Sequence, residues 1–195
     1  MGVGNARMTE LRPAKAGEVD IWFEAIVRNM DRLRQWLPWA NLEFQRDDIG
    51  RYLAEREKDN AERIALTAGI WCGEELCGAI GLHRIDQQNR STSIGYWLES
   101  SREGQGLMTG AVRTMVTEGF QNFGLHRIEI RCATGNQKSC AIPRRLGFVE
   151  EGILREAERL GDRWVDLRVF SMLEGDWDGT STGLPGDCKS FPLRT

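Results

Sequence analysis

Hydrophobic residues near the start of the chain recur every three or four positions. Between residues 18 and 36 this spacing places them on one side of a helix. The pattern ends at WLPW, because Pro38 disfavours the helical conformation at Leu37. A second helix is predicted over residues 47–60. The segment MTELRP, which precedes both helices, has the pattern of a short strand closed by Pro13.

The middle of the chain has the patterning of strands. IALTAGIWC and LCGAIGLHRI flank GEE, an arrangement typical of a hairpin turn. In TSIGYWL, every second residue from Thr92 to Leu98 falls on one face, as expected for a strand. After two closely spaced glycines, helical spacing returns from Leu107 to Phe120. A run of antiparallel strands is therefore expected before a third helix.

The last third of the chain alternates between the two patterns. RIEIRCA is predicted to be a strand, and NQKSCAIPRRLGF a loop and short helix that stops at Gly147. The segment from FVEEG to FSMLEGDW predicts a long hairpin that turns near LGDR. This order predicts one α/β domain (α+β mixed), a mixed sheet with helices on its faces, over residues 8–177. Residues 1–7 are expected to be a mobile leader and residues 178–195, rich in Gly, Ser, Thr and Pro, a mobile tail.

The composition argues against several classes of protein. A net charge of −3 leaves no basic excess to meet a nucleic-acid backbone. No apolar run approaches the roughly 18 residues that a membrane span needs. The first residues lack the apolar core of a signal peptide, so the expected location is the cytoplasm. Five cysteines without paired spacing indicate reduced thiols, and two histidines make a His-rich metal site unexpected.

The glycine turn EGQGLMTG lies where strand patterning changes to helical patterning. Glycines before a helix let an anion approach the free amides of the first turn, although a tight turn without a ligand has the same spacing. A nucleoside-triphosphate loop would end in Gly-Lys-Ser or Gly-Lys-Thr, which the turn lacks. A dinucleotide loop would have a third glycine where Thr109 stands, although Glu129 provides its acidic residue. That loop usually opens a parallel domain, whereas here helices and hairpins come first.

Several motifs in one order resemble a known family. GYWLESSREGQGLMTGAV is followed by HRIEIRCATGNQKSCAIPRRLGFVEEGILREAE, with LRQWLPW near the front and FSMLEGDW near the end. This series is similar to the RimJ/RimL branch of the GNAT acetyltransferases over residues 8–177. The resemblance implies a splayed, mostly antiparallel mixed sheet flanked by helices. It also implies an N-acetyltransferase that uses acetyl-CoA and no metal.

The resemblance assigns the cofactor site to three segments. The pantetheine arm would pair with the strand ending GYWL, the diphosphate would lie on the glycine turn, and NQKS would meet the arm. The residues implied are Tyr96, Trp97, Leu98, Glu103, Gly104, Gln105, Gly106, Leu107, Met108, Thr109, Asn136 and Ser139. The family usually has Gln or Arg where Glu103 stands. Because an acid beside a diphosphate is unfavourable, we expect Glu103 to point outward and Arg102 to supply positive charge.

The same resemblance implies the catalytic residues. Ser139 would protonate the departing CoA thiolate, although its position also suits the N-cap of the helix, and one hydroxyl could serve both roles. Glu158 would accept a proton from the incoming amine. Glu156 is the alternative base, since strict strand alternation would place both acids on one face. Cys132 is expected to line the site rather than act as a nucleophile, because direct transfer needs no acetyl-cysteine.

The acceptor is the most open question. An α-amine with a pKa near 7.8 is about 15% neutral at pH 7, and a lysine amine is less than about 0.1% neutral, so one carboxylate base favours an α-amine. The resemblance agrees and suggests a protein N-terminus, such as that of a ribosomal protein, with a possible homodimer. A small amine or aminoacyl compound, or a non-catalytic acetyl-CoA sensor, are the alternatives. Trp36 and Trp39 would wall the acceptor cleft or belong to the core, and Arg131 and Arg155 would meet an acidic substrate or remain solvated.

Overall fold

The computed structural model of the chain describes residues 9–179. The predicted leader, residues 1–7, and residues 180–195 of the predicted tail lie outside the described residues. The strands of the described part are β1 (Thr9–Pro13), β2 (Leu66–Cys72), β3 (Glu75–Leu82), β4 (Ser91–Leu98), β5 (Arg127–Ala133), β6 (Val149–Leu160) and β7 (Arg163–Leu173). The α-helices are α1 (Val19–Arg28), α2 (Met30–Leu33), α3 (Arg46–Glu62), α4 (Leu107–Gln121) and α5 (Gln137–Arg145).

The seven strands form one sheet in the order β1-β2-β3-β4-β5-β7-β6. Every neighbouring pair is antiparallel except β4 and β5, which run parallel. The crossover between these two strands contains α4, as a parallel connection requires. The predicted fold class, a mixed and mostly antiparallel sheet flanked by helices, is confirmed.

The helix predicted over residues 18–36 is two helices. It breaks at Asn29, whose backbone leaves the helical region with φ −107°. The side-chain Nδ2 of Asn29 donates to the carbonyl oxygen of Ala25 at 2.8 Å. Such local side-chain hydrogen bonds compete with the backbone hydrogen bonds of a helix, and α1 ends here. The apolar spacing continues past Asn29 and therefore did not reveal the break.

Two apolar cores lie on the two faces of the sheet. One core joins α4 and α5 to one face and includes Ile70, Ile80 and Met115. The other joins the front helices α1, α2 and α3 to the opposite face and includes Trp22 and Trp71. Strand β2 is buried at every position because its two faces contact different cores. Each fully buried aliphatic side chain in these cores contributes roughly 1.5–3 kcal/mol to folding.

Candidate active site

Strands β4 and β5 part in the middle of the sheet. They pair only over Ser91–Ile94 and Arg127–Ile130. Beyond these residues each strand remains bound to its outer neighbour, since β3 follows β4 as far as Leu98 and β7 follows β5 as far as Ala133. A gap therefore opens between the ends of β4 and β5. A cavity of about 1620 Å³ extends along it.

Tyr96, Trp97 and Leu98 lie on the part of β4 that has parted from β5, and all three line the cavity. Their side chains alternate between the faces of the sheet. Tyr96 and Leu98 pack against the core around α4, whereas Trp97 packs against the core of the front helices. Trp97 is therefore both a lining residue and a core contact. The strand edge beside these residues offers backbone groups that an extended chain could pair with.

The glycine turn adopts a conformation suited to an anion. Gly104 and Gly106 have φ of 76° and 80°, in the left-handed region that favours glycine. Gly106 is the N-cap of α4 and has no side chain that could bond to the first amides of the helix. The first helical hydrogen bond runs from the amide of Gly110 to the carbonyl oxygen of Gly106, at 3.0 Å. The amides of residues 107–109 precede that bond and border the cavity. The turn and the helix end together therefore present the unbonded backbone amides that an anion site requires.

Two arginines bring positive charge close to the glycine turn. Arg102, the residue expected to supply it, borders the cavity and donates to the carboxylate of Glu75 at 2.6 Å. Arg145, at the end of α5, donates to the hydroxyl of Thr109 at 2.8 Å and lines the cavity beside the first turn of α4. This contact places a guanidinium over the helix N-terminus, where the helix dipole favours an anion.

Glu103 does not point outward, and that expectation is wrong. Its Oε1 accepts a hydrogen bond from Arg32 Nη2 at 3.0 Å, and its Oε2 accepts one from Lys138 Nζ at 2.5 Å. Burial opposes ionisation, but the hydrogen bonds from Lys138 and Arg32 outweigh it and lower the pKa of Glu103. The carboxylate is thus an anion held between α2 and α5, at the border of the cavity.

Ser139 borders the cavity but does not cap α5. The cap is Asn136, whose Oδ1 accepts from the Ser139 amide at 3.2 Å, so the expectation of a capping serine is wrong. The hydroxyl of Ser139 lies 3.2 Å from the hydroxyl of Tyr96 and 3.2 Å from Sγ of Cys132. Tyr96 in turn donates to the Ser139 carbonyl at 3.2 Å. The hydroxyl is therefore fixed over the gap between β4 and β5 and free of any capping role.

Cys132 lies beside this hydroxyl and is 4% exposed. Its hydrogen bond with Cys140 and its burial raise the pKa of the Cys132 thiol far above the usual range. A protonated thiol is a weak nucleophile, because the thiolate is the reactive form. The geometry agrees with the expectation that Cys132 lines the site.

The two candidate bases do not share a face of β6. Leu154 pairs with Leu167 and Glu158 pairs with Val165, so three residues of β6 lie opposite one residue of β7. Glu156 stands inside this bulge with φ 46°, is exposed, and donates its amide to the carboxylate of Asp166 at 2.8 Å. The bulge interrupts the alternation on which the expectation of a shared face depended, and that expectation is wrong.

Glu158 lines the cavity, whereas Glu156 does not border it. The carboxyl of Glu158 is partly buried, and burial raises its pKa. A raised pKa brings a carboxylate closer to the operating pH, where a general base works best. The structure therefore brings Glu158, from the hairpin, and Ser139, from α5, to the walls of one cavity.

Part of the cavity wall is made of aromatic side chains. Trp36 and Trp39 both border it, and neither belongs to the two buried cores. The guanidinium of Arg163 lies 5.8 Å from the centre of the Trp36 ring, and its Nη2 donates to the carbonyl of Gln35 at 2.9 Å. These contacts hold the tip of the β6–β7 hairpin against the end of α2. The cleft-wall interpretation of the two tryptophans fits this placement.

Arg131 and Arg155 lie in different surroundings. Arg131 lines the cavity and donates to Glu129 at 2.8 Å, so its charge is matched by a neighbour on the same strand. Arg155 is exposed and does not border the cavity.

The structure adds site residues that sequence reasoning missed. Arg32, Lys138, Arg145 and His83 all line the cavity. Lys138 lies inside NQKS, so that motif carried a signal for it, whereas nothing near Arg32 in the sequence indicates the turn. Burial is the main reason that the pKa of His83 is lowered, which favours a neutral imidazole.

Between residues 9 and 179, no group of three or more His, Cys, Asp or Glu side chains is arranged to hold a metal ion. No helix within those bounds has both the length and the apolar character needed to cross a membrane.

Comparisons with known proteins agree with this geometry. The sequence matches the family model of the acetyltransferase (GNAT) domain over residues 9–149. It is 36% identical over 157 residues to YdaF of Bacillus subtilis (strain 168), a protein named for ribosomal N-acetyltransferase activity, covering 80% of this chain and 86% of the relative. It is 29% identical over 164 residues to the ribosomal-protein-serine acetyltransferase of Escherichia coli (strain K12), covering 84% and 92%.

A solved structure shares the architecture. RimL, a ribosomal L7/L12 alpha-N-protein acetyltransferase in complex with coenzyme A, superposes with a TM-score of 0.81 and 26% identity. The match covers 85% of this chain and 94% of that protein.

Proposed function

The chain belongs to the GNAT acetyltransferase family, within its RimJ/RimL branch, and from this premise we propose that it acetylates the N-terminal α-amine of a protein. A ribosomal protein is the favoured acceptor, because the relatives named above act on ribosomal proteins. The enzyme is an N-acetyltransferase, and acetyl-CoA is the acetyl donor. The observation that carries the proposal is the single cavity that joins Glu158, Ser139 and the anion site of the glycine turn.

In this proposal the backbone holds the donor. Tyr96, Trp97 and Leu98 offer the strand edge for the amide-bearing pantetheine arm, because the gap leaves their edge apart from β5. The amides of residues 107–109 and the guanidinium of Arg145 suit the negative charge of the diphosphate. Asn136 stays committed to its cap and contributes to the wall beside Ser139.

Glu158 is the proposed general base. The incoming α-amine arrives mostly as an ammonium, and it must lose a proton before it can attack a thioester carbonyl. Glu158 accepts that proton through water, and the raised pKa of its carboxyl narrows the difference in pKa between base and amine. An α-amine needs much less help than a lysine side chain, which is why one carboxylate supports N-terminal acetylation.

Ser139 is the proposed general acid. A departing thiolate has a pKa near 8.5 and needs only modest help to leave. The Ser139 hydroxyl, fixed by Tyr96 and Cys132, donates its proton to the sulfur as the bond to carbon breaks, and the serine oxygen takes up a proton from solvent in the same step. Removing this proton source should therefore slow the reaction much less than removing the base.

An acceptor screen tests the function. Release of free CoA thiol is measured with acetyl-CoA and four acceptors: peptides that begin with Ser or Ala, an N-terminally blocked peptide with an internal lysine, and spermidine. We expect release with the free N-termini and at most about one hundredth of that rate with the blocked peptide. Preferred turnover of spermidine would favour the small-amine alternative. Tight acetyl-CoA binding with no thiol release from any acceptor would favour the sensor.

A further inference from the structure

The three charged residues Arg32, Glu103 and Lys138 meet at the border of the cavity although they are distant in sequence. Arg32 is 71 residues from Glu103 and lies on α2, and Lys138 is 35 residues beyond it in the first turn of α5. Glu103 immediately precedes Gly104 and Gly106, which form the anion site. Two cations are thus brought to the phosphate end of the cavity by one carboxylate.

The pairs that hold these cations are weak. The side chain of Lys138 is 74% exposed, and those of Arg32 and Glu103 are 33% and 23% exposed. Ion pairs with this much solvent contact contribute roughly 0–1 kcal/mol, because water competes with both partners. A ligand group with more than one negative charge can therefore replace the Glu103 carboxylate on both cations at little cost.

Other charges near the turn do not provide the same opportunity. Arg102 pairs with Glu75, a carboxylate that does not border the cavity, and Arg145 is directed to the hydroxyl of Thr109. Arg32 and Lys138 both pair with Glu103 itself at the border of the cavity. A bound diphosphate would leave the Glu103 carboxylate beside another anion unless the carboxylate moved away.

We propose that Glu103 is an internal counter-anion, which holds Arg32 and Lys138 in place until the diphosphate of acetyl-CoA takes its position on these two cations. This assigns Arg32 and Lys138 as diphosphate ligands and explains why an acid is tolerated at the edge of an anion site. The inference rests on the proposed cofactor site. It does not depend on the identity of the acceptor.

Calorimetric titration without any acceptor tests whether the diphosphate replaces the Glu103 carboxylate on Arg32 and Lys138. The ligands are acetyl-CoA, acetyl-dephospho-CoA, which keeps the diphosphate, and S-acetylpantetheine, which lacks it. We expect Lys138→Met to weaken both diphosphate-bearing ligands about tenfold, as for one charged hydrogen bond, and to leave S-acetylpantetheine unchanged. Arg32→Met should act in the same direction. Lys58→Met is the matched control, since Lys58 is an exposed lysine on α3 that does not border the cavity.

The Glu103→Gln variant shows whether the Glu103 carboxylate competes with the bound diphosphate or supports its binding. Removing the competing charge should strengthen acetyl-CoA binding about two- to threefold at low salt, and the gain should shrink as salt screens the pairs. Weaker binding in Glu103→Gln, or a Lys138→Met variant equal to Lys58→Met, would overturn the inference. A Lys138→Met effect on acetyl-CoA that vanished with acetyl-dephospho-CoA would place Lys138 on the 3′-phosphate and also overturn it. Failure of the wild-type protein to bind acetyl-CoA would instead refute the proposed cofactor site.

Discussion

The two ends of the cavity are built from different materials. At the proposed diphosphate site, one continuous segment supplies the backbone groups, through Gly104, Gly106 and the first turn of α4, and cations from α2 and α5 lie around it. In the proposed acceptor wall, side chains arrive from separate parts of the chain, Trp36 and Trp39 from the front and Glu158 from the hairpin. A backbone site recognises a group that every CoA thioester carries, whereas a wall of side chains can differ from one relative to the next. Donor choice and acceptor choice should therefore respond to different mutations.

Glu158→Gln is expected to have the largest effect and would separate catalysis from donor binding. Loss of the base should lower kcat about 100-fold or more, with the acetyl-CoA Kd changed less than about twofold. Glu156→Gln is the matched control on the same strand and should retain nearly full turnover. Steady-state kinetics and calorimetry measure the two quantities. If Glu156→Gln proved the damaging change, the bulge would not have separated the two acids as we infer.

Gly106→Val should affect the opposite end. A β-branched residue at φ 80° costs about 1–2 kcal/mol or more, and relief of this strain should shift the backbone that carries the following amides. The expected result is an acetyl-CoA Kd about tenfold higher, with the acceptor KM little changed. Gly175→Val is the control, because Gly175 has ordinary φ and open space around its Cα. An unchanged Kd in Gly106→Val would refute the backbone site.

Ser139→Ala tests the chemistry between the two ends. We expect kcat to fall about tenfold, because the thiolate needs only modest help to leave. The folded state should lose little stability, since the cap of α5 belongs to Asn136. Asn136→Ala should instead lower the free energy of unfolding by about 1 kcal/mol. Chemical denaturation of both variants would reveal whether capping and proton donation are indeed on separate residues.

The smallest expected effect concerns pH. Because burial raises the pKa of Glu158, kcat/KM should fall in acid at a higher pH than an ordinary glutamate would give, as the base becomes protonated. The same shift makes the protonated carboxyl the form that favours folding, so its contribution to stability is lost as pH rises through the folded-state pKa. In Glu158→Gln the acid limb should move up to the pKa of the acceptor α-amine, near 7.8, because the reactive neutral amine must then form in solution. An acid limb that stayed at its wild-type position would assign it to another group.

The sequence predicted the order of elements well, because period and turn signals are local. The hairpin β2–β3 and helix α4 follow directly from such patterns. The helix break at Asn29 was missed, since apolar spacing continues on both sides of it. The bulge at Glu156 has no glycine or proline to signal it, and it depends on the carboxylate of Asp166 in the partner strand.

The candidate site, too, could be predicted only where its residues are neighbours in the sequence. The glycine turn could be assigned from consecutive residues, but the partners of Glu103 could not, because α2 and α5 meet it only in the folded chain. Asn136 and Ser139 are both good capping residues, so the sequence alone left the cap open. Only backbone geometry decides which of the two side chains accepts the amide hydrogen bond.

The parting of β4 and β5 has a consequence for the mechanics of the enzyme. Below the gap the sheet is one sheet, held by four pairs of residues from Ser91 and Arg127 to Ile94 and Ile130. Above it, the half of the sheet formed by β1 to β4 and the half formed by β5, β7 and β6 diverge from each other. A donor that pairs with the open edge of β4, as proposed above, would add backbone hydrogen bonds at this gap. Each catalytic cycle would then stiffen the molecule when the donor enters and release it when CoA leaves, and hydrogen exchange at Tyr96 and Trp97 would record the alternation.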